Sequence, residues 1–256
     1  MALLVVSCDY IDPEHIHKPY TPSGGGKTVL IKDFTGVRCT SCPGAAETLH
    51  ELQHQMGEDR VFVMGVHAGF MAIPSGKFPD FRTPEGTEWY GQNSSNPLFS
   101  VDHVALTDGN TLYVDQIDKP LSDALSESQL FDIFIVNRYD DPSRQLMVES
   151  EVVASSDYNG SVYVTVCLVE DSIVGRQLTL NGIDTAYVFR NVFRGTLNGA
   201  TGDVFNEGQT YVNDEYIYKY TIDLDSTYNA DQCAILTYVY EKNGGKILQT
   251  AMKKIK

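Results

Sequence analysis

Cys39 and Cys42 stand in the string Asp33-Phe34-Thr35-Gly36-Val37-Arg38-Cys39-Thr40-Ser41-Cys42-Pro43, a C-x-x-C closed by proline. An apolar run, Val29-Leu30-Ile31, leads into it. An amphipathic segment follows to about Met56, with Gly57 as its stop. Val61 to Val66 then read as a continuously apolar, buried strand. Strand, cysteine pair at a helix start, helix, strand is the setting in which C-x-x-C does thiol–disulfide chemistry; a zinc ribbon needs a second C-x-x-C, and none is present. With Cys39 expected at the helix N-cap, unpaired N–H groups and the positive dipole end favour its thiolate. Arg38 adds a positive charge acting in the same direction. Cys42 faces back to resolve a mixed disulfide, and Pro43 is tolerated in a first turn that lacks an acceptor for its missing N–H. The pair reads equally as a static disulfide that staples the turn.

Two other motifs fail on their surroundings. Gly24-Gly25-Gly26-Lys27-Thr28 ends like a phosphate loop, but the position of the first motif glycine is Thr21, and a strand-like run follows where a helix is needed. His50-Glu51-Leu52-Gln53-His54 matches H-E-x-x-H. Ala45, Leu49, Leu52 and Met56 define the core side of that helix, which places both histidines on the opposite, solvent face. A zinc enzyme needs them in a cleft with a third ligand. No metal site and no cofactor are expected.

The bulk composition narrows the function further. The 256 residues carry 34 acidic and 19 basic side chains, a formal charge of −15 that repels nucleic acid and anionic lipid. Hydrophobics at 42% and aromatics at 11% argue against disorder, and 15 tyrosines favour strands. No apolar run approaches the ~20 residues of a spanning helix. The opening, Ala2 to Val6 and then Ser7-Cys8, resembles a bacterial lipoprotein processing site with Cys8 as the lipidated residue, although the basic leader is missing. The irregular stretch to Gly26, with Pro13, Pro19 and Pro22, is then a tether. Five cysteines fit this division: one lipidated, the C-x-x-C pair, and Cys167 with Cys233, which are either a structural bridge or two buried thiols.

The second half changes period. Ser126-x-x-Gln129 reads as a capping box for a helix whose apolar face is Leu130, Phe131, Phe134 and Ile135. Asp140-Asp141-Pro142-Ser143 breaks the pattern and is taken as a domain boundary. Beyond it Val162, Val164, Val166 and Leu168 alternate with Tyr163, Thr165, Cys167 and Val169, and Tyr216, Tyr218, Tyr220, Ile222 and Leu224 share a strand face. Asn-Gly pairs at 159, 181, 198 and 243 supply turns. The expectation is an antiparallel, immunoglobulin-like sandwich. Within the first half, after the Val61–Val66 strand, Ala68 to Gly91 reads as a loop with three prolines and exposed aromatics Phe70, Phe78, Phe81, Trp89 and Tyr90, either a lip over the cysteines or an ordered loop packing its own aromatics.

The string DFTGVRCTSCP, with VFVMGVHAGF, FRTPEGTEWYG, YVFRNVFRG and CAILTYVYE later in the chain, resembles the thioredoxin-like 28-kDa outer-membrane protein family of Bacteroidetes. The resemblance implies a tether over residues 1–26, an α/β thioredoxin-like domain over 27–141 and an all-β sandwich over 142–256. It also implies export to the outer membrane on a lipid anchor, and envelope or surface proteins bearing thiols or disulfides as partners. A thioredoxin-like fold further implies a cis-proline opposite the cysteines that orients a substrate strand, and Pro97 in Ser94-Ser95-Asn96-Pro97-Leu98-Phe99 is the candidate, followed by strands over Ser100–Leu106 and Thr111–Val114. Arg38 departs from thioredoxin, where Trp precedes the first cysteine. The competing function is a non-enzymatic scaffold lipoprotein with an inert disulfide.

Overall fold

A computed structural model describes residues 25–256. β1 (Val29–Thr35) is buried along all but its last residue, as its branched and aromatic side chains require. α1 (Cys42–Met56) takes Pro43 in its first turn and stops at Gly57, whose φ of 102° suits only glycine and whose N–H bonds the Gln53 carbonyl. β2 (Val61–His67) pairs parallel with β1, so that Asp33 lies opposite Gly65 and Thr35 opposite His67. α2 (Pro84–Tyr90) is capped by the Thr83 hydroxyl, which accepts from the Gly86 N–H. β3 (Leu98–Val101) returns antiparallel to β1, and α3 (Asp118–Leu125) follows it.

The remaining elements are strands: β4 (Phe131–Asp140), β5 (Gln145–Ala154), β6 (Tyr158–Asn159), β7 (Val162–Glu170), β8 (Ile173–Thr179), β9 (Gly182–Phe189), β10 (Val192–Thr196), β11 (Asp203–Asn206), β12 (Gln209–Thr210), β13 (Glu215–Asp223), β14 (Cys233–Glu241) and β15 (Ile247–Lys254). The result is β-rich and holds several sheets. The main one runs β15-β14-β7-β10-β2-β1-β3, with β11 beside β7, and so carries strands of both halves of the chain. β13-β5-β4 form a second sheet, and β8-β9 a two-stranded hairpin of their own.

Each face of the main sheet has its own core. Val29 and Ile31 pack against Ala45 and Leu49 of α1 and Leu121 of α3. Leu30, Phe34, Met64 and Trp89 share a core with Cys167, Leu236 and Tyr238. The other face of β7, Val162 to Leu168 at alternate positions, packs against Phe131, Val148 and Tyr218 of the second sheet. Every residue of β7 is therefore buried, which explains why both registers of that strand are apolar.

Several expectations are corrected. The segment expected as a helix at 130–135 is β4; Phe131 and Ile135 point inward while Phe134 is exposed, a period of two that outweighs the helix-like spacing. Ser126 closes α3 instead of opening a helix. Residues 140–143, taken as the boundary between the 27–141 and 142–256 units, form the turn of the β4–β5 hairpin, and sheet pairing continues across them. The strand expected over Ser100–Leu106 is confined to β3, joined to the next segment by one bridge, Phe99 to Leu112. In the 68–91 stretch, Trp89 and Tyr90 are core residues because α2 turns them onto the sheet, and Phe81, which precedes α2, is buried with Val37, Phe189 and Val192; of the five aromatics only Phe70 is strongly exposed.

The strand that leads to the cysteines, β1, is anchored by a buried ion pair. Lys27 Nζ donates to Asp102 Oδ2 with both side chains almost fully buried, and Asp102 Oδ1 accepts the Leu30 N–H at 2.8 Å. Removing one member leaves the other charge unpaired in the core. Asp102→Ala is expected to lower unfolding stability by about 3–5 kcal/mol in urea titrations, and an effect under about 1 kcal/mol would show that the pair is not an anchor.

Candidate functional site

Cys39 and Cys42 form a disulfide with Cα atoms 5.4 Å apart. The helix N-cap is Ser41, so Cys42 is the first helical residue and Cys39 lies in the turn before it. This corrects the expected placement of Cys39 at the cap. Its sulfur lies 3.6 Å from the Ser41 hydroxyl, and its N–H bonds the Gly36 carbonyl at 3.0 Å. Arg38 Nη2 donates to the Phe70 carbonyl at 2.6 Å, and the guanidinium lies 4.8 Å from the Phe70 ring centroid. The Arg38 charge is thus engaged by Phe70.

The turn is held from two sides. Arg38 N–H bonds the Met71 carbonyl, and a Cβ on Gly36 would lie 2.5 Å from the Met71 backbone, so only glycine permits that approach. On the other side, Gln177 of β8 reaches across with Nε2 donating to the Gly36 carbonyl at 3.2 Å and the Cys39 carbonyl at 2.9 Å. The Leu178 N–H bonds the Val37 carbonyl at 2.9 Å. Phe189 of β9 packs with Val37 and Phe81 beneath this strap. Cys39 and Cys42 are consequently only 3% and 2% exposed.

Beside Cys42 lies a cavity of about 500 Å³. Its floor is Asp33, Thr35, Val63, Gly65 and His67, one face of β1 and β2. α1 lines it with Cys42, Pro43, Ala46, Glu47, His50 and Gln53, and Gln177 with residues 187–191 closes the far side. Asp33 is 5% exposed, its Oδ1 has no hydrogen-bond partner, and burial raises its carboxyl to about 7. His67 is 3% exposed with neither ring nitrogen bonded; the Phe81 and Phe189 rings stand edge-on to it. Burial first, then the Arg194 guanidinium, push its imidazole down to about 3, so it stays neutral at working pH.

Other predicted residues fall elsewhere. The Asn96–Pro97 peptide is cis, and Asn96 Nδ2 donates to the Phe34 carbonyl at 2.9 Å and the Ala68 carbonyl at 3.3 Å. Pro97 thus stands where β3 begins, at the end of β1 that leads to the cysteines. Cys167 and Cys233 are free, buried thiols. They belong to the cores on opposite faces of the main sheet, which rules out the structural bridge between them. Cys8 lies outside the described residues. His50 turns toward the cavity instead of solvent, whereas the His54 side chain is 82% exposed. No His/Cys/Asp/Glu group among the described residues could hold a metal ion. Lys27, of the rejected phosphate motif, is spent on Asp102.

Sequence reasoning passed over Asp33, His67 and Gln177. Asp33 had a signal: an acid inside a run of buried strand residues must acquire a function or a partner. Gln177 had none, because its role depends on a hairpin from far along the chain landing on three carbonyls.

Two outcomes follow from this geometry. Gln177→Ala removes the donor to the Gly36 and Cys39 carbonyls, at a cost of about 1–3 kcal/mol. It should speed reduction of the disulfide by dithiothreitol several-fold; an unchanged rate would mean that β8 does not cover the sulfurs. Asp33 has a folded pKa above its ordinary carboxylate value, so its contribution to stability is full below about pH 4 and lost as pH rises through about 7. Unfolding titrations at pH 5 and 8 should therefore show Asp33→Asn gaining on the parent protein at the higher pH. Parallel curves for the two proteins would contradict it.

Residues 99–256 match the family described as Outer membrane protein Omp28, a match that begins after the cysteine segment. The fold is similar to that of HBP35 of Porphyromonas gingivalis, with a TM-score of 0.67 at 15% identity over 90% of this chain and 76% of that one. A domain of the outer membrane lipoprotein Omp28 from Porphyromonas gingivalis aligns at 21% identity over 49% of this chain and 88% of that one, with a TM-score of 0.36. No curated protein matches the chain. No helix among the described residues is long and apolar enough to cross a membrane. With well over half its length matched, the chain belongs to the Omp28 family of outer membrane proteins.

Proposed function

We propose that this outer-membrane protein is a lipid-anchored thiol–disulfide exchange protein acting on envelope proteins. In this reading the order β1-α1-β2-β3-α3 is a thioredoxin-like unit. β4, β5 and β13, packed against β7, β14 and β15, are the immunoglobulin-like part. Cys8 carries the lipid. The observation that carries the reading is a disulfide at the first turn of α1 with a buried, partnerless carboxyl lining the cavity beside Cys42.

The chemistry begins from the disulfide. A substrate thiolate attacks the Cys39 sulfur, the Cys39–Cys42 bond breaks, and its electron pair leaves on Cys42. Asp33, whose carboxyl is half protonated near pH 7, supplies the proton to Cys42. A second substrate thiolate then attacks the substrate sulfur bound to Cys39, releasing Cys39 as thiolate. The substrate dithiol becomes a disulfide and the protein pair is reduced; the reverse sequence reduces a substrate. Cys42 is then the resolving thiol and Asp33 takes its proton. Pro97 opens the strand beside β1 against which the resemblance places the substrate backbone.

A second reading has its own observation. Both sulfurs are buried under the β8–β9 strap, as suits an inert staple in a scaffold protein. Redox titration separates the two. Exchange chemistry expects a Cys39–Cys42 potential between about −270 and −120 mV, with no couple in Cys39→Ser; a value below about −300 mV marks a structural bridge.

A further inference from the structure

We propose that the cavity beside Cys42 binds an organic ammonium group, its charge against Asp33 and its carbon chain along Val63, Tyr187 and Phe189. The exchange reading does not use the cavity in this way.

The floor of the cavity holds two side chains more than nine-tenths buried with no hydrogen-bond partner on the named atoms: Asp33 at Oδ1, and His67 at both ring nitrogens. A buried carboxylate without a donor is costly, and a ligand that brings the missing charge recovers that cost. The same fold displays the satisfied case, since Asp102, a buried acid at the opposite end of β1, is neutralised by Lys27. His67 cannot play that part for Asp33, because it remains neutral; it offers one donor and one acceptor to a ligand's polar end.

The walls select the sign of the ligand. Glu47 adds a second acidic group, against Arg190 as the cationic one, and both are exposed, which leaves Asp33 as the buried charge of the site. An anion would meet two carboxyls and one guanidinium; a cation meets the reverse balance. The net charge of −15 also draws cations toward the protein. Tyr187 and Phe189, with ring centroids 4.8 Å apart, give an apolar and aromatic surface on which an alkylammonium rests well. At about 500 Å³ the cavity is the size of a small-molecule site. A metal ion is a poor alternative, because no donor set of the required kind is assembled there.

The ammonium group has two sources: a free amine, or a lysine side chain of a polypeptide brought to the disulfide. Calorimetric titration of the oxidised full chain distinguishes them. The probes are n-pentylammonium, 1-pentanol and pentanoate, together with a blocked lysine tripeptide and its norleucine counterpart. Pentylammonium should bind about tenfold or more tighter than the alcohol or the acid. Asp33→Asn should weaken it about tenfold, and Glu47→Gln, on the exposed flank of α1, about threefold. Binding of the lysine peptide, but not the norleucine one, in competition with the amine assigns the polypeptide source; amine binding alone assigns the free amine. Equal affinity for the three small probes, or amine binding unchanged in both variants, overturns the proposal. No thiol reacts in this experiment, so its failure would leave the exchange reading to the redox titration.

Discussion

Three carbonyl groups, those of Gly36, Val37 and Cys39, decide how this site is built. They lie in the turn between β1 and α1, where Gly36 accepts the Cys39 N–H within the turn, while the buried Val37 and Cys39 carbonyls must find donors from outside it. The donors come from β8: the Gln177 side chain bridges Gly36 and Cys39, and the Leu178 N–H serves Val37. Satisfying the backbone brings the whole hairpin across the disulfide. The closure of the sulfurs, the aromatic packing of Phe81 and Phe189, and the far wall of the cavity all follow from that one requirement.

β1 shows a second constraint, this time of charge. Lys32 and Asp33 are adjacent, so alternation sends them to opposite faces of a sheet buried on both sides. Lys32 lies 3.7 Å over the Trp89 ring and donates to the Val104 carbonyl at 2.8 Å; burial lowers its ammonium to about 7. Asp33 meets the same burial with no such donors on Oδ1, and its carboxyl rises to the same value. Near neutral pH both groups are balanced between charged and neutral forms. The difference is access: Lys32 is enclosed by core side chains, whereas Asp33 faces a cavity that Cys42 also lines.

How much was legible in the sequence depended on whether local pattern and tertiary demand agreed. The segment from Val29 to Val66 was readable because its apolar runs, glycine stop and proline are locally decisive; β1 and β2 fall where they were expected, and α1 ends at Gly57 as expected but is capped by Ser41, two residues after Cys39. The Asn-Gly turns at 181 and 243 likewise mark real hairpins. Phe131 to Ile135 misled because a short apolar run suits either period, and pairing with β5 settled it. His50 misled for a subtler reason: its helix face is turned away from the core, yet β9 comes over it and makes that face a cavity wall. Nothing local to α1 announces β9.

The cysteines belong to the first part of the chain, and the family match begins at Phe99. The two parts nevertheless meet edge to edge. β10 lies beside β2 through a single registered pair, Val192 with Gly65, and the Gly65 N–H bonds the Asn191 carbonyl at 2.9 Å. A Cβ on Gly65 would stand 3.4 Å from the Arg190 carbonyl oxygen, so the residue between Asp33 and the hairpin has no side chain to hold them apart. That seam passes through the cavity floor. The first half contributes Cys42, Asp33 and His67; the second contributes Gln177, Tyr187 and Phe189. Neither half alone has both the disulfide and its cover, which places whatever this site does at the junction of the two.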